Sequence, residues 1–182
     1  IKIFEPLFFS FLISLSLNAL IIFISSKIGL KERISKDRWH KKEVSKFGGV
    51  AIYLANLISI CYFLDLSEFT LILIILGSAA FITGLYDDIF GIFPSLKMMI
   101  FICFAVICFN YQIRIFDSLP NYISLPFTIL WFTGIINAIN IIDNMDGLSS
   151  GISSIALSFI AFMAYSQDNI TIFIASIILL GA

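Results

Sequence analysis

Apolar runs of about 17–22 residues recur along this chain between short polar connections, and a helix needs close to 20 such residues to cross the hydrocarbon core of a bilayer. The runs fall near 6–26, 48–64, 71–86, 96–115, 122–142 and 151–166, with a seventh at 170–182. Inside a bilayer the backbone N–H and C=O groups have no water to bond, so segments of this kind must satisfy them internally, as helices. The expected fold class is all-α: a polytopic transmembrane helical bundle of about six full spans and a truncated seventh. Composition agrees. Hydrophobic residues make up 60% of the chain and the mean hydropathy is +1.05, whereas soluble domains are roughly half apolar.

No secretory signal peptide is expected, because the first apolar run is long and leads straight into further spans. The chain begins at Ile1 rather than Met, and its last run has 13 residues. It therefore reads as a single membrane-embedded domain over 1–182 and as the N-terminal part of a longer protein.

The net charge of −1 says little, but its distribution sets a topology. Eight of the 11 Lys and Arg residues lie between Lys27 and Lys46. The positive-inside rule places that loop in the cytoplasm. Alternation then puts 65–69, 116–121 and 167–169 outside and 87–95 and 143–150 inside. The outer connections carry Asp65, Glu68, Asp117 and Asp168 and no basic residue. Cys61, Cys103 and Cys108 fall within spans and read as small buried hydrophobes. No Cys or His spacing suggests zinc, and no Rossmann or Walker glycine pattern or internal repeat is present. No nucleic-acid partner is expected.

Three polar clusters converge on the inner face. The first is the basic loop, with Trp39, His40, Lys42 and the Gly48-Gly49 pair that follows. The second is Asp87-Asp88 at the end of the third span, with Lys97 just beyond. The third is Asn137, Asn140, Asp143 and Asp146, which recur every third residue at the end of the fifth. Such groups beside lipid are costly unless they face a cavity, a partner or a cation. Carboxylates at helix C-termini also oppose the macrodipole, by about 0.3–1 kcal/mol each. A compensating positive charge is needed, from the basic loop or from a divalent cation. Mg²⁺ suits the pattern, with Mn²⁺ as a substitute, since it takes a few carboxylates and keeps water and phosphate oxygens as its other ligands. Three-residue steps turn by about 300°, so Asn137, Asn140 and Asp143 can share a helix face. Asp146 then lies at or past the helix end, and Gly147 reads as a C-terminal stop.

These residues resemble the motifs of the polyprenyl-phosphate N-acetylaminosugar-1-phosphate transferases, glycosyltransferase family 4. Asn137, Ala138, Asn140, Asp143, Asp146, Gly147 and Leu148 match the family's Asn-Ala-x-Asn-x-x-Asp-Gly-x-Asp-Gly-Leu, with Asn144 in place of a Gly. Gly84-Leu85-Tyr86-Asp87-Asp88 is similar to its Gly-x-x-Asp-Asp signature. His40-x-Lys42 with Gly48-Gly49 resembles its first cytoplasmic loop, although Glu43-Val44-Ser45-Lys46 replaces the usual Pro-Thr-Pro-Arg. The resemblance implies transfer of a sugar-1-phosphate from a UDP-N-acetyl sugar to undecaprenyl phosphate, with release of UMP. It also implies a multi-pass protein of the bacterial cytoplasmic membrane, acting at the cytoplasmic face in envelope polysaccharide synthesis such as that of O-antigen. Mg²⁺ would offset the repulsion between the two phosphate-bearing substrates.

By that resemblance Asp87 or Asp88 deprotonates or orients the lipid phosphate. Asn137, Asn140 and Asp143 hold nucleotide or metal-bound groups, and His40, Lys42, Lys97 and Asp146 position phosphates or the nucleotide. Asp87, Asp143 and Asp146 are the candidate metal ligands, and the family's later metal and histidine motifs fall outside this sequence. The fragment alone is expected to be inactive, and a homodimer is one expected assembly.

Rival readings fit less well. An intramembrane aromatic prenyltransferase also shows Asn/Asp-rich motifs with Mg²⁺-bound diphosphate, which Asp143-x-x-Asp146 resembles, but the Asp-Asp pair and the basic Gly-Gly loop fit that family poorly. An ion-coupled transporter would carry repeats, broken helices and charge near the midplane. An intramembrane aspartyl protease would carry a Gly-x-Gly-Asp sequence, which is absent here.

Overall fold

A computed structural model describes residues 4–28, 47–143 and 147–182. Within them the chain forms helices α1 (Glu5–Ile28), α2 (Gly48–Phe63), α3 (Glu68–Phe90), α4 (Pro94–Asn110), α5 (Asn121–Ile142), α6 (Leu148–Ser166) and α7 (Ile170–Gly181), and no strand. Each apolar run has become one helix, as the hydropathy pattern requires.

Four of these helices, α1, α3, α5 and α6, are long and apolar enough to cross a membrane, which makes this a multi-pass protein. That is fewer than the six full spans expected. Helices α2 and α4, with 16 and 17 residues, fall just short, and α7 has 12. For α4 the shortfall has a local cause. Gln112 adopts a left-handed φ of 62°, and the N–H of Ile113 turns back to the Cys108 carbonyl at 2.9 Å. This Schellman-type cap ends the helix near Asn110, although the apolar run continues to Ile115.

One consequence corrects the charge reading of the outer connections. Arg114 lies in the connection after α4 rather than in a span. There its Nε donates to Asp117 at 2.7 Å and its guanidinium also donates to Asn121 Oδ1 at 2.9 Å. The Ser124 hydroxyl holds the same connection by donating to the Ile115 carbonyl at 2.5 Å. The connection is thus a tied turn with its basic charge locally paired.

Packing divides the chain into two units, Ile1–Ile75 with Gly147–Ala182, and Leu76–Asp146. In the first, α7 packs against α1, α2 and α6. Ile174 and Ile178 of α7 meet Ile60 and Leu64 at the end of α2 in the buried core. Gly181 lets the backbones of α7 and α1 touch: a Cβ there would run into the Leu7 carbonyl and the Ser10 hydroxyl. Close approach through small residues is how helices gain packing where lipid removes the hydrophobic drive. The Ser14 hydroxyl adds a bond to the Ala182 carbonyl at 2.6 Å.

In the second unit α4 packs along α5. Buried hydroxyls in both units turn back on their own helices, as Ser59 does to Ala55, Thr128 to Ser124 and Ser176 to Ile172. Each thereby satisfies itself without a partner helix.

Candidate active site

The second unit holds most of the polar residues singled out in the sequence. Asp87 and Asp88 sit in the last turn of α3. The helix stops where Gly91 takes a left-handed φ of 74° and its N–H returns to the Asp87 carbonyl at 2.9 Å. The Asp87 side chain completes the cap, its Oδ1 accepting from the Ile92 N–H at 2.8 Å. Phe93 is then extended (ψ 132°), as a residue before proline must be, and Pro94 opens α4.

Lys97 follows in the first turn of α4 and donates from Nζ to Asp87 Oδ2 at 2.5 Å. Both side chains are mostly shielded, at 15% and 24% exposure. Alone, each charge would oppose its helix dipole, the carboxylate at a C-terminus and the ammonium at an N-terminus. Paired, they cancel that conflict. The positive charge required beside the acidic pair therefore comes, for Asp87, from Lys97. Asp88, one residue on, is exposed.

The next residue of α4 reaches the third cluster. Asn137 Nδ2 donates to the Met98 sulfur at 3.5 Å, a weak bond to a soft acceptor. The first turn of α4 thus touches the end of α3 through Lys97 and the polar ladder of α5 through Met98. On α5, Asn137 is half-buried and Asn140 exposed. Asp143 is the exposed C-cap, with its N–H bonded to the Ile139 carbonyl at 3.0 Å. Both described acidic positions stand at helix C-termini, as the sequence reading requires.

Asp146, His40, Lys42 and Trp39 lie outside the described residues, as does most of the basic loop. Lys27, at the end of α1, packs its ammonium over the Phe23 ring at 4.4 Å. Gly147 differs from expectation. Helix α5 ends at Ile142, and Gly147 is the N-cap of α6, with φ 74°. Its carbonyl accepts from the Gly151 N–H at 2.9 Å, the first bond of that helix. It starts α6 rather than stopping α5.

Among the described residues no group of three or more His, Cys, Asp or Glu converges on one point. Mg²⁺ needs no such cage, because one or two carboxylates with substrate phosphates suffice. Asp143, an exposed hard donor, fits that role. Asp87 has both oxygens already engaged.

Two contributors escaped the sequence reading. The Ile92 N–H carries no side-chain signal, although Gly91 directly after the apolar run marks a left-handed helix end. Met98 looks like any apolar helix residue, and only the α4–α5 packing reveals its contact.

Residues 70–182 match the family model described as glycosyl transferase family 4. Similar curated proteins include a probable undecaprenyl-phosphate N-acetylglucosaminyl 1-phosphate transferase of Bacillus subtilis (strain 168), 29% identical over 100% of this chain and 54% of its own length. An undecaprenyl-phosphate alpha-N-acetylglucosaminyl 1-phosphate transferase of Thermotoga maritima is 30% identical over 91% of this chain and 57% of its own. A phospho-N-acetylmuramoyl-pentapeptide-transferase of Clostridium beijerinckii is 25% identical over 100% and 64%. The chain thus spans between about half and two thirds of the length of these relatives.

Proposed function

The chain belongs to glycosyl transferase family 4, and from that premise we propose that the whole protein moves a sugar-1-phosphate from a UDP-N-acetyl sugar onto polyprenyl phosphate. An oxygen of the lipid phosphate attacks the sugar-linked phosphorus of the nucleotide sugar. The bond between the two phosphates breaks, UMP leaves, and a polyprenyl diphosphate sugar remains. The reaction sits at the cytoplasmic face of the bacterial inner membrane, where the lipid arrives from the bilayer and the nucleotide from the cytosol. The product feeds envelope polysaccharide synthesis. The names of the Bacillus and Thermotoga relatives favour N-acetylglucosamine as the sugar.

The observation that carries this reading is the double engagement of the first turn of α4, Lys97 with Asp87 and Met98 with Asn137. It draws the acidic pair and the amide ladder toward one short helical turn. There Lys97 supplies positive charge to a phosphate, Asn137 and Asn140 supply amide donors and acceptors to the nucleotide, and Asp88 orients the lipid phosphate. By the family resemblance Asp143 and Asp146 would hold Mg²⁺, which would supply neutralisation of the phosphate charge.

The test is the identity of the leaving group. Full-length protein given UDP-N-acetylglucosamine and polyprenyl phosphate should release UMP and form a lipid diphosphate sugar. Release of pyrophosphate from a prenyl diphosphate, with no UMP, would replace this reading by a prenyltransferase.

A further inference from the structure

We infer that the connection between α3 and α4 lies in the lipid boundary of the bilayer rather than in open water, with the Phe90 and Phe93 rings seated among the acyl chains just beneath the headgroups. The partner is the membrane itself, so the placement holds whether or not the transferase reading does.

A turn standing in water keeps its charges outside and its rings inside. This one is inverted. From Ile89 to Leu96 the chain reads Ile-Phe-Gly-Ile-Phe-Pro-Ser-Leu, with no charged residue. Phe93 is 80% exposed and Phe90 70%, whereas the flanking charges of Asp87 and Lys97 are mostly shielded and bonded to each other. Rings left in water forgo the free energy of burial. Lipid restores it, and an ionisable group beside lipid is tolerated when it is paired. The backbone agrees. Gly91 and Ile92 donate their N–H groups to the carbonyl and Oδ1 of Asp87, at 2.9 and 2.8 Å, and Pro94 has no N–H to satisfy. A connection needs such self-sufficiency where water is scarce.

The rings also extend an exposed apolar row. Ile82, Tyr86, Ile89 and Phe90 are all exposed and lie within about 100° of one another round α3. That helix is long and apolar enough to cross a membrane, and the Tyr86 and Phe90 rings pack with centroids 4.8 Å apart. Asp88 is exposed too, but it stands about 160° round the helix from Phe90. The end of α3 is therefore apolar on one side and polar on the other, as a segment at the headgroup level is. An immersed turn fixes how deep the ends of α3 and α4 sit.

Spin-label collisions test the placement. The full-length protein, with its native cysteines replaced by alanine, carries a nitroxide at Phe93→Cys or, separately, at Phe90→Cys, in vesicles of phosphatidylethanolamine and phosphatidylglycerol. Both rings are so exposed that little packing is lost. Oxygen dissolves among acyl chains and a polar nickel chelate does not, so collisions with oxygen should exceed those with the chelate by about tenfold at both positions. Frequent collisions with the chelate would put the turn in water and overturn the inference. Few collisions with either probe would mean that protein covers the rings, which overturns it equally. Should one variant not insert, the other decides.

Discussion

Lys97 Nζ lies 2.5 Å from Asp87 Oδ2, across the turn that joins α3 to α4. Each partner stands at the helix end its charge disfavours, so each needs the other. Removing one partner alone should destabilise the folded protein by about 1 kcal/mol, the scale of a partly shielded charged hydrogen bond. The exchange Asp87→Lys with Lys97→Asp keeps the pair and reverses both dipole conflicts. Thermal unfolding in detergent should show the double variant more stable than either single one. A double variant no better than the sum of the singles would show that the pair contributes nothing to the turn.

Asp143 should show the opposite balance. It is exposed and caps the C-terminus of α5, where a carboxylate opposes the dipole. Asp143→Asn should leave stability equal or raise it by a few tenths of a kcal/mol, while transfer falls by about a hundredfold or more. Paired melting and activity measurements on the same preparation check this. Retained activity would remove Asp143 from the site.

The contact between α1 and α7 makes a prediction remote from the chemistry. At Gly181 even one methyl group would meet the Leu7 carbonyl and the Ser10 hydroxyl. Gly181→Ala should cost about 1–3 kcal/mol, as overpacking does, and Gly181→Val more. Ser14→Ala should cost about 1 kcal/mol through the lost bond to the Ala182 carbonyl. Melting temperatures that do not fall in the Gly181 variants would argue that α1 and α7 pack less closely.

Gly147 offers a local test of backbone conformation. At φ 74° a side chain is strained, so Gly147→Ala should cost about 1–2 kcal/mol. Gly147→Asn should cost less, because asparagine tolerates the left-handed region. Equal losses in the two variants would mean that something other than φ fixes this position.

Hydropathy made the helices legible. The run at 122–142 became Asn121–Ile142, and the run at 48–64 became Gly48–Phe63, because lipid demands continuous apolar helix. The places where the reading failed were backbone events that hydropathy does not register. Gln112 ends α4 by turning left-handed inside an apolar run, which shortened one expected span and released Arg114 into a connection. Gly147 carried a correct signal, a left-handed glycine at a helix boundary, but the boundary belonged to the helix that follows. At the site, the need for a positive charge beside Asp87 was readable from the dipole, but the basic loop or a divalent cation was expected to supply it, and Lys97 was a candidate only for positioning phosphates. That Lys97 binds Asp87 rather than Asp88, and that Met98 touches Asn137, depends on how the turn closes and on how α4 packs against α5. Neither is written in spacing.

The central claim is that this membrane face joins a nucleotide sugar to a lipid phosphate. Its most direct test is isotope exchange: radiolabelled UMP incubated with unlabelled UDP-N-acetylglucosamine, polyprenyl phosphate, Mg²⁺ and the full-length protein. Label should appear in the nucleotide sugar, and should vanish when the lipid phosphate is omitted, when Mg²⁺ is chelated, or in Asp88→Asn. No exchange by well-folded protein with any UDP-N-acetyl sugar, or exchange that persists without the lipid phosphate, would contradict the account.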